Sequence, residues 1–182
     1  DDDCRQLAAE GVAVLFAPSA AEMYPEGAVT KISVEGIGDR LDGASRPGHF
    51  TGVATGVAKL FQIVEPDRAY FGQKDSQQVD VIRRMVRDLD VPVKIIAAPT
   101  IRSADGLALS SRNKYLSAEE RLVAVQFAVT LQQAVRQKSN PAGWLRLRLK
   151  KTAGLRVDHV TMAGDRLCAA VFVGKTRLID NE

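Results

Sequence analysis

Cysteine and histidine are scarce in this chain of 182 residues. There are two cysteines, Cys4 and Cys168, far apart in the sequence, and two histidines, and neither cysteine has a neighbour at metal-ligand spacing. This scarcity argues against a disulfide scaffold and against a zinc site. It predicts reduced thiols, a cytoplasmic protein and no metal ligands among the site residues.

Long hydrophobic runs are also lacking. The longest apolar stretch, near 167–174, has the length of a strand, whereas a membrane-crossing helix needs about 20 apolar residues. We therefore predict a soluble protein with no membrane partner. The sequence has neither a starting Met nor the basic and apolar regions of a signal peptide. We expect that it starts inside a longer gene product.

The composition is otherwise that of an ordinary globular protein, with 46% hydrophobic and 26% charged residues. Charge is unevenly spread: residues 1–99 contain 11 Lys and Arg against 15 Asp and Glu, and residues 100–182 contain 14 against 7. The second part is therefore the part expected to meet an anion.

One basic stretch in the second part resembles a nucleic-acid patch in composition. It contains Arg146, Arg148, Lys150, Lys151 and Arg156. Only Trp144 is close enough in sequence to offer base stacking, and no recognised nucleic-acid motif is present. We predict a solvated face and no nucleic-acid partner.

The first part of the chain alternates between strand and helix patterns. After the end of a helix at 4–10, the apolar run 12–16 predicts a strand buried on both faces of a parallel sheet. The predicted elements that follow are a strand at 30–34, a glycine-rich loop at 36–48, a helix at 51–64, a strand at 69–72, a helix from Asp75 or Ser76 to Leu89, and a strand at 93–97. This alternation predicts an α/β fold with a Rossmann-like, doubly wound parallel sheet.

The pattern changes near 99–101, where we place a domain boundary. Residues 102–114 predict a polar loop, and Ser117 with Glu120 forms a capping box that opens a helix to about Gln137. Asn140-Pro141 breaks that helix, and short segments at 157–162, 167–173 and 176–180 predict a small antiparallel sheet. We therefore predict a nucleotide-binding domain at 1–99 and a small α+β lid domain at 100–182.

A first polar cluster, 72–78, leaves the C-terminal end of a predicted parallel strand and opens a helix. Ligands bind at this edge of open α/β sheets. Gly72 lets a ligand approach the backbone, Lys74 offers a cation to phosphate, Asp75 accepts hydrogen bonds from ribose hydroxyls, and Gln78 suits a small polar substrate. An ordinary helix cap with a solvated face is the alternative.

A second cluster, 105–113, places Ser110, Ser111 and Arg112 in a loop that contains Gly106. Two hydroxyls followed by a guanidinium suit a polyphosphate that must be gripped and then released. Ser-Ser-Arg is also a common loop composition, so the cluster carries weight only together with the first.

The order of these segments resembles that of the pantoate–β-alanine ligase (pantothenate synthetase) family. The resemblance is carried by the segments 16–18 (FAP), 23–25 (MYP), 46–50 (RPGHF), 72–78 (GQKDSQQ), 105–113 (DGLALSSRN) and 174–181 (GKTRLIDN). It is dense over 1–121 and returns over roughly 155–182.

The resemblance implies a cytoplasmic, dimeric enzyme that joins pantoate to β-alanine with ATP and Mg²⁺, through a pantoyl adenylate. It also implies roles for individual residues. ATP is expected to contact Gly72, Gln73, Lys74, Asp75, Ile101, Leu109, Ser110, Ser111 and Arg112, and the catalytic residues among these would be Lys74, Ser110, Ser111 and Arg112. Pantoate is expected to contact Gln78, Val57 and Phe71.

The sequence also departs from that family. We expect its first segment, with a strand, a glycine-rich turn, paired histidines and a second pantoate-binding glutamine, to be absent, so that the front part of the sheet is missing. Gln73 stands where the family usually has Glu, and 138–167 is short for the family. His49, beside Phe50 at a helix entry, is expected to be structural.

Two alternatives to this function stay open. One is a different adenylyl or cytidylyl transferase of the same architecture. The other is an incomplete, non-catalytic chain that binds ATP or pairs with a complete subunit. In either case the apolar side of 12–16 is expected to be uncovered, which predicts poor solubility or tight self-association.

Overall fold

The structure is a computed structural model that describes residues 2–182; Asp1, the first residue of the predicted domain at 1–99, lies outside the described residues. The helices are α1 (Asp2–Ala9), α2 (Ala20–Met23), α3 (Asp42–Ser45), α4 (His49–Val64), α5 (Ser76–Asp88), α6 (Ala118–Ala134) and α7 (Pro141–Leu149). The strands are β1 (Arg68–Gly72), β2 (Lys94–Ala98), β3 (Leu155–Ala163), β4 (Arg166–Val173) and β5 (Thr176–Asn181). Short 3₁₀ helices occupy Gln73–Asp75 and Ser111–Tyr115.

The first half is built on a parallel pair of strands. β1 pairs with β2 in a register that sets Gly72 opposite Ala98, so both strands end at the same edge. α5 is the crossover between them, and α4 packs against α5 over a core that includes Phe50, Phe61 and Ile82. The α/β class and this strand–helix–strand unit are confirmed.

The predicted strands at 12–16 and 30–34 are wrong. Both segments lack regular secondary structure and ladder hydrogen bonds, and Val14 is 80% exposed. A strand needs a partner for its backbone groups, and residues 2–182 provide none here. The Ile32 N–H instead donates to the Thr55 hydroxyl on α4, at 2.9 Å. The parallel sheet in the described residues therefore has two strands.

The second half is a three-stranded antiparallel sheet covered by two helices. The strand order is β3-β4-β5, with β4 in the centre, as predicted from the three short segments. α6 and α7 pack on one face, burying Phe127, Leu131, Leu145 and Leu149. The predicted capping box is confirmed, because Ser117 and Glu120 exchange both bonds at the start of α6.

Helix α7 was not predicted from the sequence. Asn140-Pro141 was expected to break the helix that Ser117 opens, whereas α6 already ends at Ala134 and these two residues start α7. Asn140 adopts a left-handed conformation (φ 46°) and its side chain accepts from the Gly143 N–H at 3.0 Å. Pro141 stands in the first turn, where the missing N–H has no intrahelical partner to lose.

Within residues 2–182 no helix has the length and apolar character needed to cross a membrane.

Candidate functional site

The first polar cluster lies where β1 ends. After Gly72 the chain turns through the 3₁₀ helix Gln73–Asp75 into α5, so the exposed Asp75 and the half-buried Lys74 stand at the N-terminus of a thirteen-residue helix. Asp75 holds the N-cap position but its side chain caps nothing. Within residues 2–182, the Lys74 ammonium makes no ion pair. These two side chains are therefore available to a ligand.

Gln73 is placed differently from its neighbours. With its amide turned so that the oxygen faces the second half of the protein, it accepts from Nε and Nη2 of Arg166, at 2.9 Å each. Its side chain therefore joins the two halves. A carboxylate at this position would form an ion pair with the same guanidinium.

The second cluster is presented by a short hairpin. Arg102 and Ala108 form an isolated antiparallel bridge, Leu109 N–H donates to Ile101 C=O at 2.9 Å, and Gly106 takes the positive φ (87°) that the turn requires. Among residues 2–182, the Ile101 N–H and the Leu109 C=O have no hydrogen-bond partner. One donor and one acceptor of this hairpin thus remain unpaired, and these are the two kinds of group that bind a nucleobase edge.

Ser110, Ser111 and Arg112 follow this hairpin. The Ser110 hydroxyl caps the 3₁₀ helix Ser111–Tyr115 by accepting from Arg112 N–H at 3.2 Å, while Ser111 and Arg112 are exposed. Asn113 anchors the helix through its amide, which donates to Ala108 C=O at 3.0 Å. The hydroxyl of Ser111 and the guanidinium of Arg112 are left facing solvent.

Charged residues of both clusters act electrostatically on His49, the first residue of α4. Burial lowers the pKa of His49, and the charge of Arg46 lowers it further, with Arg46 Nη1 3.1 Å from His49 Nε2. Arg112 is also close enough to lower this pKa, and Asp75 close enough to raise it. One charged residue of each cluster therefore lies within electrostatic range of this imidazole, whose pKa is lowered from its ordinary value.

A groove of about 590 Å³ opens beside this point. Its walls include Val57 from α4 and Gln78 from the first turn of α5, two of the three residues predicted to contact pantoate. Phe71, the third, does not line it, and packs edge-on against Phe61 in the core with ring centroids 6.5 Å apart.

Eight of the ten residues that line this groove had no predicted contact role, among them His49, Met23 and Tyr24. Tyr24 approaches α4 closely, because its hydroxyl lies 2.6 Å from where a Cβ on Gly56 would stand. The signal was present in the sequence, since Met23 and Tyr24 belong to one of the segments on which the family resemblance rests.

The described residues contain no group of three or more His, Cys, Asp or Glu able to hold a metal ion. What they offer is an ammonium, a guanidinium, two serine hydroxyls and a helix N-terminus, next to a groove with one amide and apolar walls. Such a set suits a polyphosphate bound next to a small polar molecule.

Comparison with known proteins gives one consistent result. A model of the family described as pantoate-beta-alanine ligase matches residues 1–182. The chain is 50% identical over 198 residues to a pantothenate synthetase of Moorella thermoacetica, covering 97% of this chain and 70% of that protein. It is 50% identical over 204 residues to one of Corynebacterium efficiens, covering 100% and 71%.

Solved structures agree. A crystal structure of pantothenate synthetase from Thermus thermophilus superposes with a TM-score of 0.94 at 41% identity, covering all of this chain and 73% of that one. A crystal structure of pantoate-beta-alanine ligase from Francisella tularensis, complexed with beta-gamma ATP and beta-alanine, superposes with a TM-score of 0.85 at 37% identity, covering all of this chain and 68% of that one.

Proposed function

Since this chain belongs to the pantoate–β-alanine ligase family, we propose that it joins pantoate to β-alanine at the expense of ATP. Pantoate would attack the α-phosphorus to give pantoyl adenylate and pyrophosphate, and the β-alanine amine would then displace AMP. The observation that carries this proposal is the groove lined by Val57 and Gln78. His49 also lines it, and Gln78 stands three residues after Asp75 in the first turn of α5.

The chemistry needs position and charge rather than a nucleophilic side chain. A carboxylate is a poor acyl donor, and adenylation gives it a leaving group. Negative charge shifts onto the departing pyrophosphate, where Lys74, Ser110, Ser111 and Arg112 would stabilise it as catalytic residues. Lys74 is half-buried, which strengthens its field, whereas Arg112 is exposed to solvent.

The remaining ATP contacts follow from the same placement. Gly72 is exposed at the strand end, where the ligand would pass over the backbone, and Asp75 would accept from the ribose hydroxyls. The unpaired Ile101 N–H and Leu109 C=O would meet the adenine edge. Gln73 would act from further away, since its amide is held by Arg166.

For pantoate, Gln78 would supply the polar contact and Val57 an apolar wall. Phe71 would act through the core, by fixing the end of β1 against Phe61. β-Alanine would enter the same groove after adenylation.

Mg²⁺ fits this site only as an ion that is bound mainly by ATP. Because the described residues hold no three-ligand group, the ion would take its ligands mainly from phosphate oxygens and water, as Mg²⁺ at nucleotide sites commonly does. Bound Mg²⁺ would neutralise phosphate charge.

We also propose a homodimer in the cytoplasm. Val14 is 80% exposed, its sequence neighbours Leu15 and Phe16 are exposed too, and Val29, further along the chain, is 85% exposed. A second copy would cover such a surface. Cys4 and Cys168 are both free, as expected in a reducing compartment. Sedimentation of wild type and Val14→Glu tests the dimer, with Leu122→Glu as the control at another exposed apolar site.

The decisive test of the activity is exchange of labelled pyrophosphate into ATP by the chain. We expect exchange that requires pantoate, fails with CTP and fails with an unrelated hydroxy acid. Lys74→Met and Arg112→Met should each lower the rate at least about a hundredfold, and Arg84→Ala, on the exposed side of α5, should leave it unchanged. Exchange supported equally by another acid or by CTP would instead identify a different nucleotidyl transferase.

A further inference from the structure

We propose that Asp180 and Asn181, at the end of β5, are positioning residues that lock the two predicted ATP-binding segments together. The segments are the turn 73–75 and the loop 102–112. The inference rests on the proposed function for its link to ATP, but the lock itself is a feature of the fold.

Asn181 holds the first segment. It is 5% exposed, and its Nδ2 donates both hydrogens, to Gln73 C=O at 3.1 Å and to Lys74 C=O at 2.8 Å. These are the carbonyls of the residue that faces Arg166 and of the cation proposed to meet phosphate. Because only a primary amide of this length offers two donors without charge, neither Asp nor Leu can replace the contact.

Asp180 holds the second segment. It is 3% exposed and binds Arg102 with both oxygens, Nη1 to Oδ2 at 2.7 Å and Nη2 to Oδ1 at 3.1 Å. Arg102 Nη1 also donates to Gly106 C=O at 3.3 Å, so the guanidinium reaches the turn of the hairpin that leads to Ser110. A charged, bidentate contact at a buried carboxylate is strong and geometrically specific.

The two contacts are joined by a hydrogen bond within the pair. Asn181 N–H donates to Asp180 Oδ1 at 2.9 Å, the same oxygen that accepts from Arg102 Nη2. Displacing Arg102 therefore disturbs the orientation of Asn181, and through it the carbonyls of 73 and 74. Since β5 is an edge strand of the rigid antiparallel sheet, it fixes both segments from one side.

Asp180 and Asn181 are not placed to bind ATP themselves, because both side chains are buried and the Asp180 carboxylate and the Asn181 Nδ2 are already hydrogen-bonded within the protein. Their effect on the reaction is indirect, because they set the distance between Lys74 in the turn 73–75 and the loop 102–112. Loss of the lock should weaken nucleotide binding while the groove beside Val57 and Gln78 keeps its shape.

The test uses Asn181→Asp and Arg102→Met in the full chain, with Arg84→Ala as the control, and combines two measurements. Amide hydrogen exchange without any ligand reports the lock. Direct titration with ATP, and with pantoate separately, reports its consequence. We expect both variants to speed exchange in 73–76 and in 103–112 together. We also expect the Kd for ATP to rise at least about tenfold, with the Kd for pantoate unchanged.

Faster exchange only in the segment that the mutated residue contacts would overturn the lock. So would an unchanged Kd for ATP in a variant that exchanges faster in both segments. If wild type binds no ATP while exchange responds in both segments, the lock stands and the proposed function fails. Should Asn181→Asp not fold, Arg102→Lys, which keeps the charge but not the two-pronged contact, carries the same comparison, with a smaller increase expected in both readouts.

Discussion

At the scale of single residues, two histidines are kept neutral by their surroundings. Burial lowers the pKa of His159 despite the nearby charges of Asp42 and Asp158, and burial with the charge of Arg46 lowers the pKa of His49. Both imidazoles therefore bind a proton more weakly in the folded chain than in the unfolded chain.

The stability of the folded chain should therefore fall as the pH is lowered. When a folded pKa lies below the unfolded value of about 6.5, the unfolded state binds more protons as pH falls, and stability declines with it. The stabilisation from the neutral histidines is present above pH 6.5 and is lost as pH falls through the folded values. We expect the urea midpoint to be lower at pH 5.5 than at pH 7.5.

His159→Asn should reduce that slope, as measured by urea unfolding at a series of pH values. Arg84→Ala provides the control, because it alters no histidine environment. A midpoint that rises between pH 7.5 and 5.5 in wild type would contradict the shifts.

At the scale of elements, the caps decide where the C-terminal helices begin. The Ser117 hydroxyl accepts from Glu120 N–H at 3.2 Å, and the Glu120 carboxylate accepts from Ser117 N–H at 2.9 Å. These two bonds satisfy donors that α6 cannot satisfy internally.

Ser117→Ala should therefore lower the free energy of unfolding by about 1 kcal/mol. Thermal and urea unfolding followed by circular dichroism measure this loss. Ser139→Ala is the matched control, since this neighbouring serine makes no hydrogen bond among the described residues. Equal losses in the two variants would show that the box adds nothing.

The elements that the sequence predicted are those whose signals are local. Helices α4, α5 and α6 follow from apolar spacing and caps, and β1 to β5 follow from short apolar or alternating runs between turns; all are confirmed to within a few residues. The run 12–16 has the same local signal, but its state depends on a partner strand, which periodicity does not encode. α7 was missed because a proline that starts a helix looks like one that ends it.

The candidate site was predicted in composition rather than in arrangement. Residues 72–78 and 105–113 were found because each is dense in one stretch of sequence. Neither the contact between Arg46 and His49 nor the support of Lys74 by Asn181, 107 positions away, could be predicted from these stretches. Contacts of that separation arise from the packing of β5 against the turn and leave no periodic trace. The assigned roles stay predictions until the exchange assay is done.

At the scale of the whole molecule, a buried cation ties the two halves together. Arg177 on β5 binds Asp42 in the first half at 2.6 Å and Asp158 on β3 at 2.8 Å, with all three side chains mostly buried. Removing this guanidinium leaves two carboxylates facing each other without a counter-charge.

Arg177→Met should accordingly destabilise the chain by roughly 1.5–3 kcal/mol, the range for hydrogen bonds to charged groups. The loss should be larger when it is measured by a probe in the first half, because Asp42 belongs to a loop there that Gln77 also holds. The Gln77 side-chain amide donates to Ile37 C=O at 2.8 Å and to Arg40 C=O at 2.7 Å. Denaturant unfolding followed by hydrogen exchange checks both points. Arg84 forms an exposed ion pair with Asp88. If Arg84→Ala costs as much stability as Arg177→Met, then Arg177 contributes no more than a surface charge.

The contact between Asn181 and Lys74 also has a consequence for biosynthesis. The two residues are 107 positions apart, and a ribosome adding about 5–20 residues per second needs roughly 5–20 seconds to cover that distance. During this interval the turn 73–75 has emerged or is emerging while its buried support does not yet exist. The first half is therefore made with the turn proposed to bind nucleotide unsupported, and the contact that holds this turn forms only after synthesis has passed β5.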